Sequence, residues 1–139
     1  MRAIFFAVLF VMIGFVSQKA SAAPTAEEAK LQEQLEIQRA YGAIVGIKSV
    51  VSTLANLSLA CEEPSDCTAI AMGSRACGGP TSYVVTSKAN TSIEALNLSI
   101  QLETKAESEL NQKFHIISIC SVEMPPELDC KSKVCSTLR

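Results

Sequence analysis

The sequence predicts an α+β domain in which two helices pack on a small antiparallel sheet that disulfides stabilise. Two stretches, at about 26–59 and 91–112, carry apolar residues at three- and four-residue steps, which is the spacing of a helix face. Short runs rich in β-branched residues lie between and after them, bounded by Gly and Pro. Six cysteines fall into two groups of three. Helices, short strands and cross-links together indicate a small mixed domain.

The first predicted helix, 26–59, begins with a capping box. Thr25 and Glu28 stand three residues apart, so each side chain can bond the other's backbone amide. Apolar residues then follow at helical spacing: Leu31, Leu35, Ile44, Val45, Val51 and Leu54. Gly42 and Gly46 each cost about 1 kcal/mol relative to Ala. We interpret this stretch as core packing rather than as a membrane-surface or membrane-type helix contact.

The second predicted helix, 91–112, starts at another capping box, Thr91 to Glu94. Its apolar positions include Ile93, Leu96 and Ile100. The charged residues between them are predicted to form a solvated face: Glu103, Lys105, Glu107, Glu109 and Lys113.

The strands are predicted from composition and from the turns that bound them. The candidates are Cys67–Met72, Tyr83–Thr86, His115–Val122 and 133–138. Pro125 and Pro126 end the third candidate, and 127–131 is predicted to be a turn.

The six cysteines predict three disulfides, since the chain has the features of an exported protein. They are Cys61, Cys67, Cys77, Cys120, Cys130 and Cys135. Pairing between the two groups would close loops of about 43 residues or more, worth roughly 4 kcal/mol each, against roughly 2 for a five-residue loop. Stability does not fix connectivity, and all of the roughly 15 pairings stay open. The spacing lacks the close cysteine pairs of a zinc site, so no metal is expected.

Residues 1–22 are predicted to be a signal peptide and 23–139 a single disulfide-bonded domain. Arg2 precedes an apolar run, and Ala20-Ser21-Ala22 has the form of a cleavage site. The predicted location is therefore periplasmic or secreted, with no membrane attachment after cleavage. The formal net charge is −2. Loss of Arg2 and Lys19 makes the mature chain more acidic, which argues against nucleic acid as a partner.

A candidate binding loop lies between the first two predicted strands and consists of Arg75, Gly78, Gly79 and Pro80. The two glycines permit positive φ and Pro80 fixes the exit. A loop held by a disulfide at Cys77 would lose little entropy on binding, and Arg is common in binding hot spots. The alternative is a plain structural turn.

Catalysis and cofactor binding are not expected. His115 is the single histidine, and no nucleophile or metal motif accompanies it. Glu62, Glu63 and Asp66 lack the alternating ligands of a calcium loop and are interpreted as a solvated helix end. The glycines of the candidate loop lack the Lys of a phosphate loop.

One resemblance covers residues 61–139. The spacing of Cys61 and Cys67, the run Cys77-Gly-Gly-Pro80 and the pair Pro125-Pro126 resemble a group of uncharacterised, small, exported bacterial proteins. The resemblance implies export and disulfides and brings no activity.

The expected function is that of an exported, non-enzymatic binding or inhibitor-like module whose partner is another exported protein. The alternative is an envelope structural or stress-related protein whose helix faces pack on partners. An enzyme is the third hypothesis, and no group of residues points to a reaction.

Overall fold

The computed structural model describes residues 23–138, so the predicted signal peptide lies outside the described residues. Within them the predicted α+β class is confirmed. The elements are α1 (Ala26–Asn56), β1 (Cys67–Met72), β2 (Ser82–Ser87), α2 (Ile93–Lys113), β3 (Leu128–Lys131) and β4 (Val134–Thr137). None of the helices within 23–138 combines the length and hydrophobicity that crossing a membrane requires.

Helix α1 starts where the sequence predicts, at the capping box. The amide of Glu28 donates to Thr25 Oγ1 at 3.3 Å, and the amide of Thr25 donates to Glu28 Oε2 at 2.8 Å. These bonds satisfy amides that the first helical turn leaves without partners. The helix ends at Asn56, a few residues earlier than predicted.

Helix α2 begins later than predicted, because Asn90 rather than Thr91 organises its start. Ser92 takes the cap position without a side-chain bond. Asn90 Oδ1 instead accepts from the amide of Ser92 at 2.9 Å. The Asn90 side chain is buried and donates to Leu54 O at 2.9 Å and to Thr86 Oγ1 at 2.8 Å. The start of α2 is thus tied to both α1 and β2, and the predicted Thr91 capping box is wrong.

The strands form two small antiparallel sheets, β1–β2 and β3–β4. In the first, the register runs from Cys67 opposite Ser87 to Met72 opposite Ser82. The second is a hairpin in which Cys130 lies opposite Cys135, so β3 occupies residues predicted to be a turn. The predicted strand His115–Val122 is wrong, because this stretch has no strand conformation and pairs with no strand among residues 23–138.

The main core lies between the helices and the β1–β2 hairpin. Its buried members are Val51, Ala55, Met72, Leu96 and Ile100. The helices run antiparallel, since the end of α1 meets the start of α2 while Glu36 pairs with Lys113 at 2.6 Å.

A second buried cluster surrounds the disulfides Cys61–Cys130 and Cys67–Cys135, whose Cα atoms are 6.0 and 5.6 Å apart. Both bridges join the first group of three cysteines to the second. They fasten β3–β4 to the beginning of β1 and to the chain that follows α1. The opposite end of the β1–β2 hairpin carries the predicted binding loop.

Candidate functional site

The loop of residues 73–81, here called the tip loop, joins β1 to β2 and packs on the C-terminal half of α2. Gly73 opens it with φ +87°. A Cβ at this position would lie 1.6 Å from Thr81 Oγ1 and 2.6 Å from Glu107 Oε2. Only glycine therefore fits here, both for space and for backbone conformation.

The turn at the top of the tip loop has the conformation that its glycines predict. Gly78 and Gly79 have φ values of 100° and 83°. Two backbone bonds close the turn, from Arg75 N to Gly79 O at 2.9 Å and from Gly78 N to Arg75 O at 3.0 Å. The expectation of positive φ in this run is confirmed.

The base of the tip loop is fastened to α2 by four hydrogen bonds, one of them from Thr81 Oγ1 to Glu107 Oε2 at 3.1 Å. The amide of Gly73 donates to Thr104 Oγ1 at 3.0 Å, and the amide of Ser74 donates to Glu107 Oε2 at 2.8 Å. Asn111 Nδ2 donates to Ser74 O at 2.6 Å. The loop is therefore held in one place although it lies outside the ladder of the sheet.

Arg75, the predicted recognition residue, is used within the chain. Its Nε donates to Pro80 O at 3.0 Å. Its two terminal nitrogens reach out of the loop, to Ser121 Oγ at 2.6 Å and to Glu123 Oε2 at 2.9 Å. The side chain is 19% exposed. The guanidinium thus clamps a distant stretch of chain against the tip loop.

That stretch, residues 115–124, is here called the facing segment. The amide of Ser121 donates to Ile119 O at 2.9 Å, which makes a tight turn centred on Cys120. Before this turn Ser118 lies next to Cys77, and after it Ser121 and Glu123 bond Arg75. Because the turn shifts the alternation of side chains by one residue, Ser118 before it and Ser121 and Glu123 after it all face the tip loop.

The alternating residues of the facing segment point away and form what we call the apolar strip. Ile117, Ile119, Val122 and Met124 are 94, 86, 82 and 71% exposed. The strand-like composition of this stretch was visible in the sequence. Its exposure was not, because a strand-like alternation usually predicts that the apolar side is buried.

The third predicted disulfide is not formed, and Cys77 and Cys120 are exposed thiols. Both sulfurs lie against Ser118: Cys77 Sγ is 3.5 Å from Ser118 Oγ, and Cys120 Sγ is 3.9 Å from Ser118 O. This pair stands between two surface stretches that no sheet holds together, unlike the two buried bridges.

The environment makes the two thiols unequal. Hydrogen bonds from Cys120 and then Ser118 lower the pKa of Cys77, and the charge of Arg75 acts in the same direction. The hydrogen bond with Cys77, followed by partial burial, raises the pKa of Cys120. Cys77 is therefore the residue of the pair that more readily becomes a thiolate.

A carboxylate pair lies beneath the tip loop, where the sequence predicts a solvated helix face. Glu103 is fully buried and Glu107 is largely buried. Lys48 of α1 contacts both, with Nζ 2.6 Å from Glu107 Oε1 and 3.3 Å from Glu103 Oε1. Neither oxygen of Glu103 has a well-aligned hydrogen-bond partner among the described residues. The two glutamates are thus a correction to the predicted face of α2.

The pKa values of the two glutamates shift in opposite directions. Burial, together with the neighbouring Glu107, raises the pKa of Glu103 to about 7. Burial acts against ionisation of Glu107 too, but bonds from Lys48 and from the amide of Ser74 outweigh it and lower its pKa. Glu107 is the ionised partner, and it is also the one that holds the tip loop. Its spacing from Glu103 is visible in the sequence, but nothing there indicates that Lys48 lies opposite.

The other predicted features are separate from this site. His115 is exposed just beyond α2, with φ 48°. Asp66 accepts from the amides of Glu62 and Glu63 at 2.8 and 3.1 Å, so its carboxylate closes a turn. The sulfurs of Cys61, Cys67 and Cys135 lie within 4.8 Å of one another, but all three are in disulfides.

Comparison with known proteins gives no family model, curated protein or solved structure that matches this chain. The function must therefore be argued from the site's own residues. The resemblance of residues 61–139 to small exported proteins stays a prediction.

Proposed function

We propose that this protein is an exported, non-enzymatic binding module whose apolar strip docks an extended apolar segment of another exported protein. The observation that carries the proposal is the strip itself. Single exposed apolar residues are normal on a protein surface. Four large ones between Ile117 and Met124, each at least 71% exposed, are instead a concentrated patch of the kind that marks interaction sites.

The backbone of the strip favours an extended partner. Among the hydrogen bonds within residues 23–138, the amides of Ile117, Ile119 and Val122 act as donors in none. Unpaired amides along a stretch without regular secondary structure are available to a second strand, which is how strand-addition domains bind peptides. Side chains at alternate positions would then supply the specificity.

The tip loop reduces the cost of binding. Arg75 holds the polar side of the facing segment through Ser121 and Glu123, while α2 holds the base of the loop. A segment that is already positioned loses less conformational freedom when a partner binds. In this proposal the predicted loop supports the binding surface rather than contacting the partner through Arg75.

The extracytoplasmic part of the proposal is supported by the two buried disulfides, which persist in oxidising compartments. The predicted signal peptide agrees with it, although those residues lie outside the described part of the chain. The partner is therefore sought among exported proteins.

The test compares lysine substitutions at two exposed apolar positions. Ile119→Lys lies in the strip, and Val45→Lys lies on α1, where Val45 is 64% exposed. A photo-crosslinking residue at Ile117 first identifies the partner in the exported fraction. Affinity for the purified partner should then fall about tenfold or more for Ile119→Lys, which is about 1.4 kcal/mol. Val45→Lys should bind as the wild type does, and both variants should keep the wild-type melting temperature.

A second photo-crosslinking residue, at position 45, distinguishes the alternative of an envelope structural protein. If helix faces make the contacts, crosslinks will form from position 45 and not from position 117, and Val45→Lys will be the weaker binder. Either result contradicts the proposal, as does an Ile119→Lys variant with unchanged affinity.

A further inference from the structure

We infer that Cys77 and Cys120 form a thiol–disulfide exchange site, in which Cys77 attacks an incoming disulfide and Cys120 resolves the product into a bridge between the tip loop and the facing segment. The chemistry stands on the thiol pair alone. The consequence for partner binding rests on the proposed function, because the bridge would hold the segment that carries the apolar strip.

The first support is proximity combined with access. Both sulfurs contact Ser118, at 3.5 and 3.9 Å, and both are exposed, so a disulfide reagent can reach them and they can be joined with little movement. The two existing bridges are less accessible, since Cys61, Cys67 and Cys135 are only 6, 4 and 5% exposed and Cys130 is half-buried. Exposed disulfides exchange readily, whereas buried ones resist attack.

The second support is the difference between the two sulfurs. The thiolate is the nucleophile in disulfide exchange. Hydrogen bonds from Cys120 and Ser118, and the charge of Arg75, favour the thiolate at Cys77. The bond with Cys77 is the first cause that raises the pKa of Cys120, followed by desolvation and by the charge of Cys77. Once Cys77 is part of a mixed disulfide, its charge and its bond no longer raise the pKa of Cys120, which can then ionise and attack more readily.

The reaction balances as two exchanges with one external disulfide, R–S–S–R. The Cys77 thiolate forms a bond to one sulfur of the reagent, and the first R–S⁻ leaves. The Cys120 thiolate then attacks Cys77 Sγ, the mixed disulfide breaks and the second R–S⁻ leaves. Cys77 and Cys120 lose two electrons and two protons together, and the reagent, reduced by those electrons, takes up the protons as two thiols. Small-molecule or protein disulfides of an oxidising compartment are the substrate class.

A Cys77–Cys120 bridge would link the tip loop covalently to the facing segment, which Arg75 now holds through hydrogen bonds. It would join two stretches that are otherwise held by hydrogen bonds to Ser121, Glu123 and Ser118. The facing segment would lose mobility, and the apolar strip would be fixed in its outward position. Oxidation is thus expected to strengthen partner binding without changing any residue of the strip.

The experiment treats the reduced-pair protein with oxidised glutathione and follows the intact mass. The wild type should lose two hydrogens and retain no adduct. Cys120→Ser should retain one glutathionyl group at Cys77. Cys77→Ser should form its adduct several-fold more slowly, because Cys120, even without Cys77, faces the carbonyl of Ser118 and lacks the Ser118 hydroxyl and the Arg75 charge that favour a thiolate at Cys77. Equal rates for the two variants, or two stable adducts on the wild type, would overturn the assignment.

A second measurement separates this inference from the proposed function. Partner affinity is compared for the oxidised and reduced pair, and it should be several-fold higher after oxidation. A bridge that forms without changing affinity would overturn the link to binding and leave the exchange site standing. If Ile119→Lys also binds normally, the proposed function fails independently of the exchange chemistry.

Discussion

The two ends of the β1–β2 hairpin are held in different ways. At the end that begins with Cys67, two buried disulfides fasten the β3–β4 hairpin to the sheet. At the tip loop, the facing segment is held by the fork of Arg75 and by contacts of Ser118. The facing segment and β4 have strand-like composition, whereas the residues of β3 were predicted to be a turn. Only the stretch that is linked covalently becomes a strand pair.

This difference separates stability from function. The covalent end excludes water and fixes the chain, so it contributes to global stability. The tip end is held by hydrogen bonds at the surface, so the free energy of local opening is expected to be small there. Sites that bind partners or react with reagents are usually drawn from such low-stability regions. The following predictions test whether the two ends behave so differently.

The largest effect is expected from removing a buried bridge. Cys67→Ala with Cys135→Ala should lower the free energy of unfolding by about 4 kcal/mol, because a long loop in the unfolded chain is released and buried packing is lost. The measurement is a urea denaturation curve. The matched control, Cys77→Ser with Cys120→Ser, should leave the midpoint unchanged within error relative to wild type with that pair reduced. Similar losses for both double variants would contradict the comparison.

The next largest effect is expected where the start of α2 meets the end of α1 and strand β2. Asn90→Ala should cost about 3 kcal/mol, because it leaves buried groups at Leu54 and Thr86 and the amide of Ser92 without their partner. Thr91→Ala is the control and should change the free energy of unfolding by less than about 0.5 kcal/mol. A larger loss at Thr91 than at Asn90 would restore the capping box predicted from the sequence. Chemical denaturation checks both.

These two predictions mark the limit of what the sequence reveals. Local signals sufficed for α1, where Thr25 and Glu28 satisfy each other within one turn. Local signals did not predict the start of α2, because Asn90 fixes that start through bonds to Leu54 of α1 and Thr86 of β2. Leu54 is distant from Asn90 in the sequence. Cysteine pairing and the β3 strand depend in the same way on contacts between remote residues, so composition alone could not determine them.

The features of the candidate site also fall into those that local sequence predicts and those that depend on remote contacts. Positive φ at Gly78 and Gly79 follows from local turn chemistry and was predicted. The clamp by Arg75 and the burial of Glu103 depend on which chain segments lie opposite, and the sequence offers no local sign of either. The apolar strip shows the converse case, since its composition predicts a strand, but no strand in the described part of the chain pairs with it.

An effect of intermediate size is expected in the pH dependence of the free energy of unfolding, through the carboxylate pair below the tip loop. Burial raises the pKa of Glu103 to about 7, above its ordinary 4.5, so the folded state holds a proton that the unfolded chain releases earlier. The resulting stabilisation is fully present below about pH 4.5 and is lost as pH rises through about 7. Glu107 has a lowered pKa and acts in the opposite direction at acid pH.

Glu103→Gln should therefore unfold with a free energy about 2 kcal/mol higher than wild type at pH 8.5, because it removes a buried charge. At pH 5 the two proteins should differ little. Glu109→Gln, on an exposed part of α2, is the control and should follow the wild-type pH profile. A Glu103→Gln variant whose stability falls in parallel with wild type between these pH values would show that Glu103 is not the titrating group.

The smallest effect on global stability is expected at Arg75, and the comparison of the two ends explains why. Its contacts with Ser121 and Glu123 lie at the surface, so Arg75→Ala should cost less than about 1 kcal/mol. Hydrogen exchange at the amide of Ser121, which donates to Ile119 O, should nevertheless accelerate, because Arg75 no longer holds this turn in place. Arg75→Lys should restore little of the protection, since an ammonium cannot reproduce the two-armed fork of the guanidinium.

Partner binding then separates a clamp from a direct contact. If Arg75 acts by holding the facing segment, Arg75→Ala should weaken binding when Cys77 and Cys120 are reduced, and oxidation of that pair should restore the affinity, because a covalent bond replaces the clamp. If Arg75 touches the partner, the loss will persist after oxidation. Affinity measured for wild type and Arg75→Ala, each in both redox states, distinguishes these outcomes. Only recovery on oxidation agrees with a tip loop that supports the apolar strip from behind.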